Sequence, residues 1–307
     1  MNLLHVALLL LLAILMGLVL AGRATAAANL ARRSVLIIVS CLILSPFVWL
    51  VFATFKDPSV LNEYVFLPPF AEWSAETINL SNLRTLLAPQ ETVHGTYSFF
   101  LYIFNSVFLA TAQTLLQVTF CSMAGFAFAV YSFRGRQALF LLVLGSMMIP
   151  PILLLAPVYR MVVNFGWMDT YFALLVPGAV GAYGIFLYRQ AMMRVPKELF
   201  DAARIDGASE LRIWYEIALP LVRPITGAFC LVVFLNAWNS FIAPNVFLQS
   251  TYKMPLPVIL QHFVGQYENQ YGVFLAGTFL AILPPACLFF YLQREFILGL
   301  TSGGVKE

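Results

Sequence analysis

Chemistry-bearing side chains are concentrated in one part of this chain. Between Arg189 and Arg223, 35 residues carry eleven charges, six basic and five acidic, whereas Asp, Glu, Lys and Arg make up 10% of the whole. Within the stretch, Glu198, Asp201, Arg204 and Asp206 alternate with the small residues Ala202, Ala203, Gly207 and Ala208. These are groups for recognising another surface, not for breaking bonds. No Gly-x-x-x-x-Gly-Lys-[Ser/Thr] loop is present to cradle a nucleotide phosphate. Neither Gly-x-Ser-x-Gly nor His-Glu-x-x-His occurs. The four cysteines, Cys41, Cys121, Cys230 and Cys287, lie apart in apolar runs without the grouped ligands of a zinc site, and all four read as buried free thiols. The chain is therefore expected to hold no catalytic residue, metal or cofactor of its own.

The local physics of the charged stretch predicts a helix, a turn and a second helix. Pro196 suits a first helical turn, where its missing N–H costs nothing. Glu198 and Asp201 then sit near the positive end of the helix dipole. Leu199, Ala202, Ala203 and Asp206 recur at three and four residues and share a face of small side chains. Gly207 ends the helix in a conformation that glycine adopts cheaply. Ser209 can cap the second helix, with Leu211, Trp214, Tyr215 and Ala218 as its apolar stripe, and Pro220 and Pro224 end it. Two uses of such a segment stay open: a docking surface for another protein, or an amphipathic loop lying on lipid headgroups. The near-balance of acids and bases favours docking, because an interfacial helix is mainly basic.

A second set of candidates is polar residues inside apolar runs: Asn105, Gln113, Gln117, Asn236, Asn239 and Ser240, with Trp238 as an aromatic platform. Buried polar groups are expensive within a membrane and face the bundle interior, either to touch a solute or to hydrogen-bond between helices. Asn105, Asn236, Trp238 and Asn239 are the candidate solute-pathway residues. Asn236 and Asn239, three apart, form the preferred pair.

The elements that must position these residues span a membrane. The chain is 61% hydrophobic with mean hydropathy +0.87, whereas a soluble domain carries about 25% charged residues. A net charge of +3 and the lack of basic runs with interleaved aromatics exclude nucleic acid as a partner. Seven uncharged runs are long enough for a bilayer core of about 30 Å: Leu3–Gly22, Val35–Phe55, Thr96–Phe133 (the span itself starting near Phe99), Gln137–Tyr159, Thr170–Tyr188, Ile225–Tyr252 and Asn269–Gln293. Alternating the loops places 13 of the 17 Lys and Arg on one side. By the positive-inside rule that side, with the C-terminus, is cytoplasmic. Leu3–Gly22 is read as an uncleaved helix rather than a signal, because Met1–Val6 has no Lys or Arg. The expected organisation is an extra N-terminal helix with a short linker over residues 1–33, then a transport domain over 34–307. The latter has an external loop at 56–97 and a cytoplasmic loop at 189–223.

The run Asp201-Ala202-Ala203-Arg204-Ile205-Asp206-Gly207-Ala208, followed by Leu219-Pro220-Leu221, resembles the EAA loop of ABC importer permeases. Asn105-Ser106, Met147-Met148-Ile149-Pro150, Gly184-Ile185-Phe186-Leu187, Phe234-Leu235-Asn236-Ala237-Trp238-Asn239 and the ending Gly299 to Lys306 are similar to the second permease of maltose-type carbohydrate importers. Asp201 stands where that family usually has Glu, and the first run adds a span to the usual six. The resemblance implies an all-α membrane protein: a six-helix ABC importer transmembrane domain plus one extra N-terminal transmembrane helix. It implies a bacterial inner-membrane location and a sugar or oligosaccharide solute. It further implies three kinds of partner: a second permease, two cytoplasmic ATP-binding subunits and an extracytoplasmic solute-binding protein. The coupling helix falls at about Lys197–Asp206, and Glu198, Asp201, Ala202, Ala203, Arg204, Asp206, Gly207 and Ala208 face the ATPase. Glycerol phosphate or another polyol derivative is an alternative solute, although no cation sits in the core spans to hold a phosphate. A stand-alone secondary transporter would show inverted repeats, and none is visible.

Overall fold

The computed structural model describes residues 24–61, 63–92, 95–265 and 270–301. The first apolar run, Leu3–Gly22, and the last residues of the Gly299–Lys306 ending lie outside them. The chain divides into two units, Met1–Leu80 and Ser81–Glu307.

In the first unit, α1 (Ala24–Phe55) is one continuous helix. It begins well before Val35, so the expected linker around Arg32 and Arg33 is helical. The physical reason is composition: residues 24–34 are mostly Ala, Leu and Arg with no Gly or Pro to interrupt them. From Val35 to Val48 its large apolar side chains are exposed, as a helix facing lipid requires. After Phe55 the chain folds on itself. Lys56 pairs with Ile78, its Nζ donates to the Tyr64 and Val65 carbonyls, and Asp57 accepts from Ser59 and Asn79.

Among its described residues the second unit consists of helices and their connections and one pair of antiparallel strands, β1 (Gln90–Thr92) against β2 (Gly95–Tyr97), with Gln90 opposite Tyr97. α2 (Ser81–Leu87) precedes it. α3 (Phe99–Val130) follows, starting where the sequence places the span, with the Ser98 hydroxyl accepting from the Phe100 N–H. Its 32 residues extend about 48 Å, enough to cross a bilayer and project beyond it. α4 (Arg136–Ser146) and α5 (Leu155–Asn164) occupy the predicted Gln137–Tyr159 run, but the chain bends by 96° between Ser146 and Pro151. Pro150 and Pro151 explain the break, because each lacks a backbone donor and restricts the residue before it. The Thr170–Tyr188 run is likewise divided, into α6 (Phe172–Leu175) and α7 (Ala182–Met192).

Next comes α8 (Lys197–Ile205), then α9 (Glu210–Leu221), whose Ile213–Ala218 stretch is a π-helix. An 86° bend at Val222 leads into α10 (Arg223–Trp238). α11 (Ile242–Phe247), α12 (Leu256–Gly265) and α13 (Tyr271–Thr301) complete the unit. Among the described residues, α1, α3 and α13 are individually long and apolar enough to cross a membrane, and counting each bent pair as one span gives five.

Two cores sit at opposite ends of α3. One gathers Cys121 and Phe126 of α3, Tyr188 of α7, Phe200 and Ala203 of α8, Ile213 and Ala218 of α9 and Phe229 of α10. The other gathers Phe99 and Tyr102 of α3, Phe234 and Trp238 of α10, Leu256 and Ile259 of α12 and Ala276 of α13. Of the cysteines, Cys121 is buried and Cys230 half-buried, but Cys41 and Cys287 are exposed. For a lipid-facing helix an apolar sequence does not imply a protein interior, which corrects the expectation that all four are buried.

Candidate functional site

The helix–turn–helix stands as the sequence predicts. Pro196 occupies the N-cap of α8. Gly207 takes φ +82°, the Gly207 N–H reaches the Arg204 carbonyl and the Ala208 N–H reaches the Ala203 carbonyl. These two bonds close the helix as a Schellman motif, which needs the left-handed residue that glycine supplies. The Ser209 hydroxyl accepts from the Arg212 N–H at the start of α9.

α8 has two distinct faces. Phe200 and Ala203 are buried in the core beneath it, with the Phe200 ring edge-on to Phe126 at 5.6 Å. Glu198, Asp201, Ala202 and Asp206 are exposed, and Ile205 is 86% exposed. Ala202 and Ile205, three apart, thus set apolar surface between the carboxylates on the outer face of the helix. Ala203 thus belongs to the supporting face, and a bulky residue there acts through this chain's own packing.

Arg204 also turns inward. Its guanidinium binds Asp201 at 2.7 Å and both carboxylate oxygens of Glu210, at 2.8 and 3.2 Å. The Tyr131 hydroxyl, just past the end of α3, donates to Glu210 Oε2 at 2.7 Å. Hydrogen bonds from Arg204 and then Tyr131 hold the Glu210 carboxyl below the usual carboxylate range, and the bond to Glu210 raises Arg204 above its ordinary value. Trp214 Nε1 donates to the Ser122 hydroxyl at 3.1 Å, a second tie between α9 and α3. Glu210, Tyr131 and Ser122 were not singled out by sequence reasoning. The available signal was Glu210, six residues beyond Arg204 across the glycine.

The apolar stripe of α9 differs from the expected one. Ile213 and Ala218 are fully buried, whereas Leu211 and Tyr215 are exposed. In an α-helix two positions five apart lie about 140° apart around the axis. The π-turn widens the coil and brings them onto one face.

The polar candidates within the spans separate into three roles. A cavity of about 260 Å³ is lined by Gln113 and Gln117 of α3, Asn236 of α10, Ser240 beyond it, Ser106 and apolar residues of α6, α10 and α11. Gln113 and Gln117 both donate to the Gly178 carbonyl, the latter at 2.9 Å, so they anchor the α6–α7 connection while facing the cavity. Asn236 is exposed to it. Asn105, by contrast, is 4% exposed and donates to the Tyr252 and Met254 carbonyls at 2.8 and 3.1 Å. With Ser106 Oγ accepting from the Leu256 N–H at 2.7 Å, it stitches the start of α3 to the segment before α12. Trp238 is buried and stacks on Phe234 with ring centroids 5.8 Å apart. The Asn239 side chain donates back to the Leu235 carbonyl at 2.9 Å. Asn105, Trp238 and Asn239 do not line the cavity; of the four pathway candidates, Asn236 does.

Residues 117–294 match the family described as binding-protein-dependent transport system inner membrane component. The chain belongs to that family. The permease is 39% identical to the arabinooligosaccharides transport system permease protein AraQ of Halalkalibacterium halodurans, over 77% of this chain and 88% of that one. It is 30% identical to the trehalose/maltose transport system permease protein MalG of Thermococcus litoralis, over 88% and 94%. It is 29% identical to the lactose transport system permease protein LacG of Rhizobium radiobacter, over 91% and 96%. Its fold matches a chain from a bacterial ABC transporter involved in the import of the acidic polysaccharide alginate, with TM-score 0.76 at 20% identity, covering 89% of the permease and 98% of that chain. The permease is therefore an inner-membrane transport component of the ABC importer type, as its EAA-like loop implies.

Proposed function

We propose that the permease forms one half of a pathway for a neutral saccharide. It pairs with a second permease, is driven by two cytoplasmic ATP-binding subunits that dock on α8, and is loaded by an extracytoplasmic solute-binding protein. The observation that carries this reading is the division of α8: its inner face is packed on the chain's own core, while Glu198, Asp201, Ala202, Ile205 and Asp206 are exposed on the other. Asp201, one methylene shorter than the family's usual Glu, keeps an exposed carboxylate on that face; Arg204 binds one of its oxygens, and the other is left for a basic residue of the ATPase.

The basic bias of the loops supports a cytoplasmic position for residues 189–223 and for the C-terminus. The cavity supports the solute class. Its polar wall is made of two Gln, one Asn and Ser hydroxyls, and none of the lining residues is ionisable. Such a wall matches hydroxyl groups and offers nothing to an anion or a coupling proton. The relatives' names, which refer to arabinooligosaccharides, trehalose/maltose and lactose, point the same way. Glycerol phosphate would require a cation here.

Closure of the ATPases on ATP would move α8, and the paired permeases would rock between outward and inward openings, a bistable rearrangement biased by nucleotide. Affinity purification of the tagged chain from its native membranes tests this. The expected product contains ATP-binding subunits and a second permease, and in vesicles with the solute-binding protein it takes up arabinotriose, maltose or lactose only with ATP. Hydrolysis by the chain alone, or uptake without ATP, would overturn the proposal.

A further inference from the structure

We infer that Glu210 is a positioning residue: gripped by Arg204 and Tyr131, it locks α8 to the end of α3 so that movement of α8 is carried into the span. The inference rests on the reading of α8 as the ATPase contact, and adds how that contact reaches the membrane.

The need for a lock follows from Gly207. It is the turn between α8 and α9, and a β-carbon added there would meet nothing within 4 Å. No packed side chain at that turn fixes the angle between α8 and α9. Its apolar contacts with the core, through Phe200 and Ala203, are non-directional and tolerate sliding. Arg204 lies before this hinge and Glu210 after it, and their two-pronged bond braces the turn in one geometry.

Tyr131 extends the brace to the membrane. It is the C-cap of α3, its own N–H donating to the Ala127 carbonyl, so its position is set by the helix. Its hydroxyl meets Glu210 across 79 residues of sequence, and its carbonyl accepts from Arg136 at 2.9 Å, which ties in the start of α4. Its ring stands edge-on to Phe126, which in turn meets Phe200. The titratable groups that meet Glu210 are thus Arg204 of α8 and Tyr131; Asp201 shares the Arg204 guanidinium and Arg136 binds the Tyr131 carbonyl. A single carboxylate joins α8, α9 and α3. Arg204, although inside the EAA-like run, serves this internal joint.

The test uses the purified transporter with its ATP-binding subunits in lipid vesicles, and reads two quantities without requiring a known solute. One is ATP hydrolysis. The other is the ATP-dependent change in labelling of a cysteine at the cavity, Asn236→Cys, by a membrane-impermeant maleimide quantified peptide by peptide. In Glu210→Gln and Tyr131→Phe, hydrolysis should continue at the parent rate while the labelling change falls by about tenfold, within the usual range of coupling between sites. Glu210→Asp should lie between. A full labelling response in Glu210→Gln, or loss of the ATP-binding subunits from it, overturns the lock. Ile205→Asp separates the two readings. Retention of the subunits in that variant overturns α8 docking itself, whereas their loss together with a full response in Glu210→Gln overturns only the lock.

Discussion

Gly125 of α3 lies so close to Tyr188 of α7 that a β-carbon on the glycine would stand 2.5 Å from the tyrosine Cβ and 2.9 Å from the backbone nitrogen of Arg189. One turn up, Gly184 is pressed in the same way against Cys121 and the Phe229 ring. Cys121 Sγ in turn donates to the Gly181 carbonyl and accepts from its N–H. Small residues allow these helices to touch backbone to backbone. α3 and α7 are therefore in backbone contact, and the short connection 193–196 joins α7 to α8.

That closeness makes Gly125 intolerant of side chains. Gly125→Leu should cost at least the ~1–3 kcal/mol of an overpacked core, seen as a lower midpoint of thermal unfolding in detergent. Gly145→Ala is the control, because a β-carbon there meets nothing within 4 Å and alanine favours helix by roughly 0.5–1 kcal/mol. Equal destabilisation by both would disprove the close-packed crossing.

At Gly207 the constraint is conformational. With φ +82° and empty space around it, Gly207→Ala should cost about 1–2 kcal/mol for a left-handed alanine and leave uptake measurable. Gly207→Pro, whose ring fixes φ near −65°, should abolish uptake while the protein still inserts in the membrane. Immunoblotting of membranes beside uptake assays reads both. Undiminished uptake in Gly207→Pro counts against α8 as the coupling element.

Asn105 and Asn236 should behave oppositely despite their similar chemistry. Asn105→Leu removes both bonds of a buried amide to the segment before α12, at about 0.5–1.5 kcal/mol for each hydrogen bond, and should lower thermal stability. Asn236→Leu should keep stability and alter uptake or solute preference. A stable Asn105→Leu with altered solute choice would reverse the assignment.

Asp169 provides the pH dependence. Its backbone has φ +56°. One carboxylate oxygen accepts from the Gln249 and Ser250 N–H groups, the other from the Ser250 hydroxyl and Lys253 Nζ. Burial alone would raise its pKa, but the bonds from Lys253, Ser250 and Gln249 outweigh it and hold the carboxyl well below its ordinary value. A depressed folded-state pKa means the stabilisation is present above the ordinary carboxylate range and is lost as pH falls through the folded value. Unfolding midpoints measured from neutral pH downward should drop at the acid end, and Asp169→Asn should start lower and show a flatter profile. Identical profiles would refute the role.

Residues 196–209 were legible in the sequence because every signal there is local: a proline, a glycine, a capping serine and small residues at helical spacing. The start of α3 near Phe99 was legible from where the uncharged apolar run begins, and the Ser98 cap found there fits it. Residues joined across long stretches of chain were not. Asn105 looked like a solute contact because composition shows that a polar side chain is buried but not that backbone carbonyls 147 and 149 residues away satisfy it. Trp238 looked like a sugar platform, yet it is buried in the core that α10 shares with α3, α12 and α13. Hydropathy located Gln137–Tyr159, but the two prolines within it decided its shape.

The wide turn at Ile213–Ala218 also limits how this loop can change over time. It sets the azimuth at which the two ends of α9 face, Glu210 toward Tyr131 and Ala218 toward the interior. Removing one residue from it would turn one end against the other by about 100°, breaking the pairing with Tyr131 or with Ser122. Substitutions can accumulate along this arm, whereas its length is fixed by the need to keep both ends in phase.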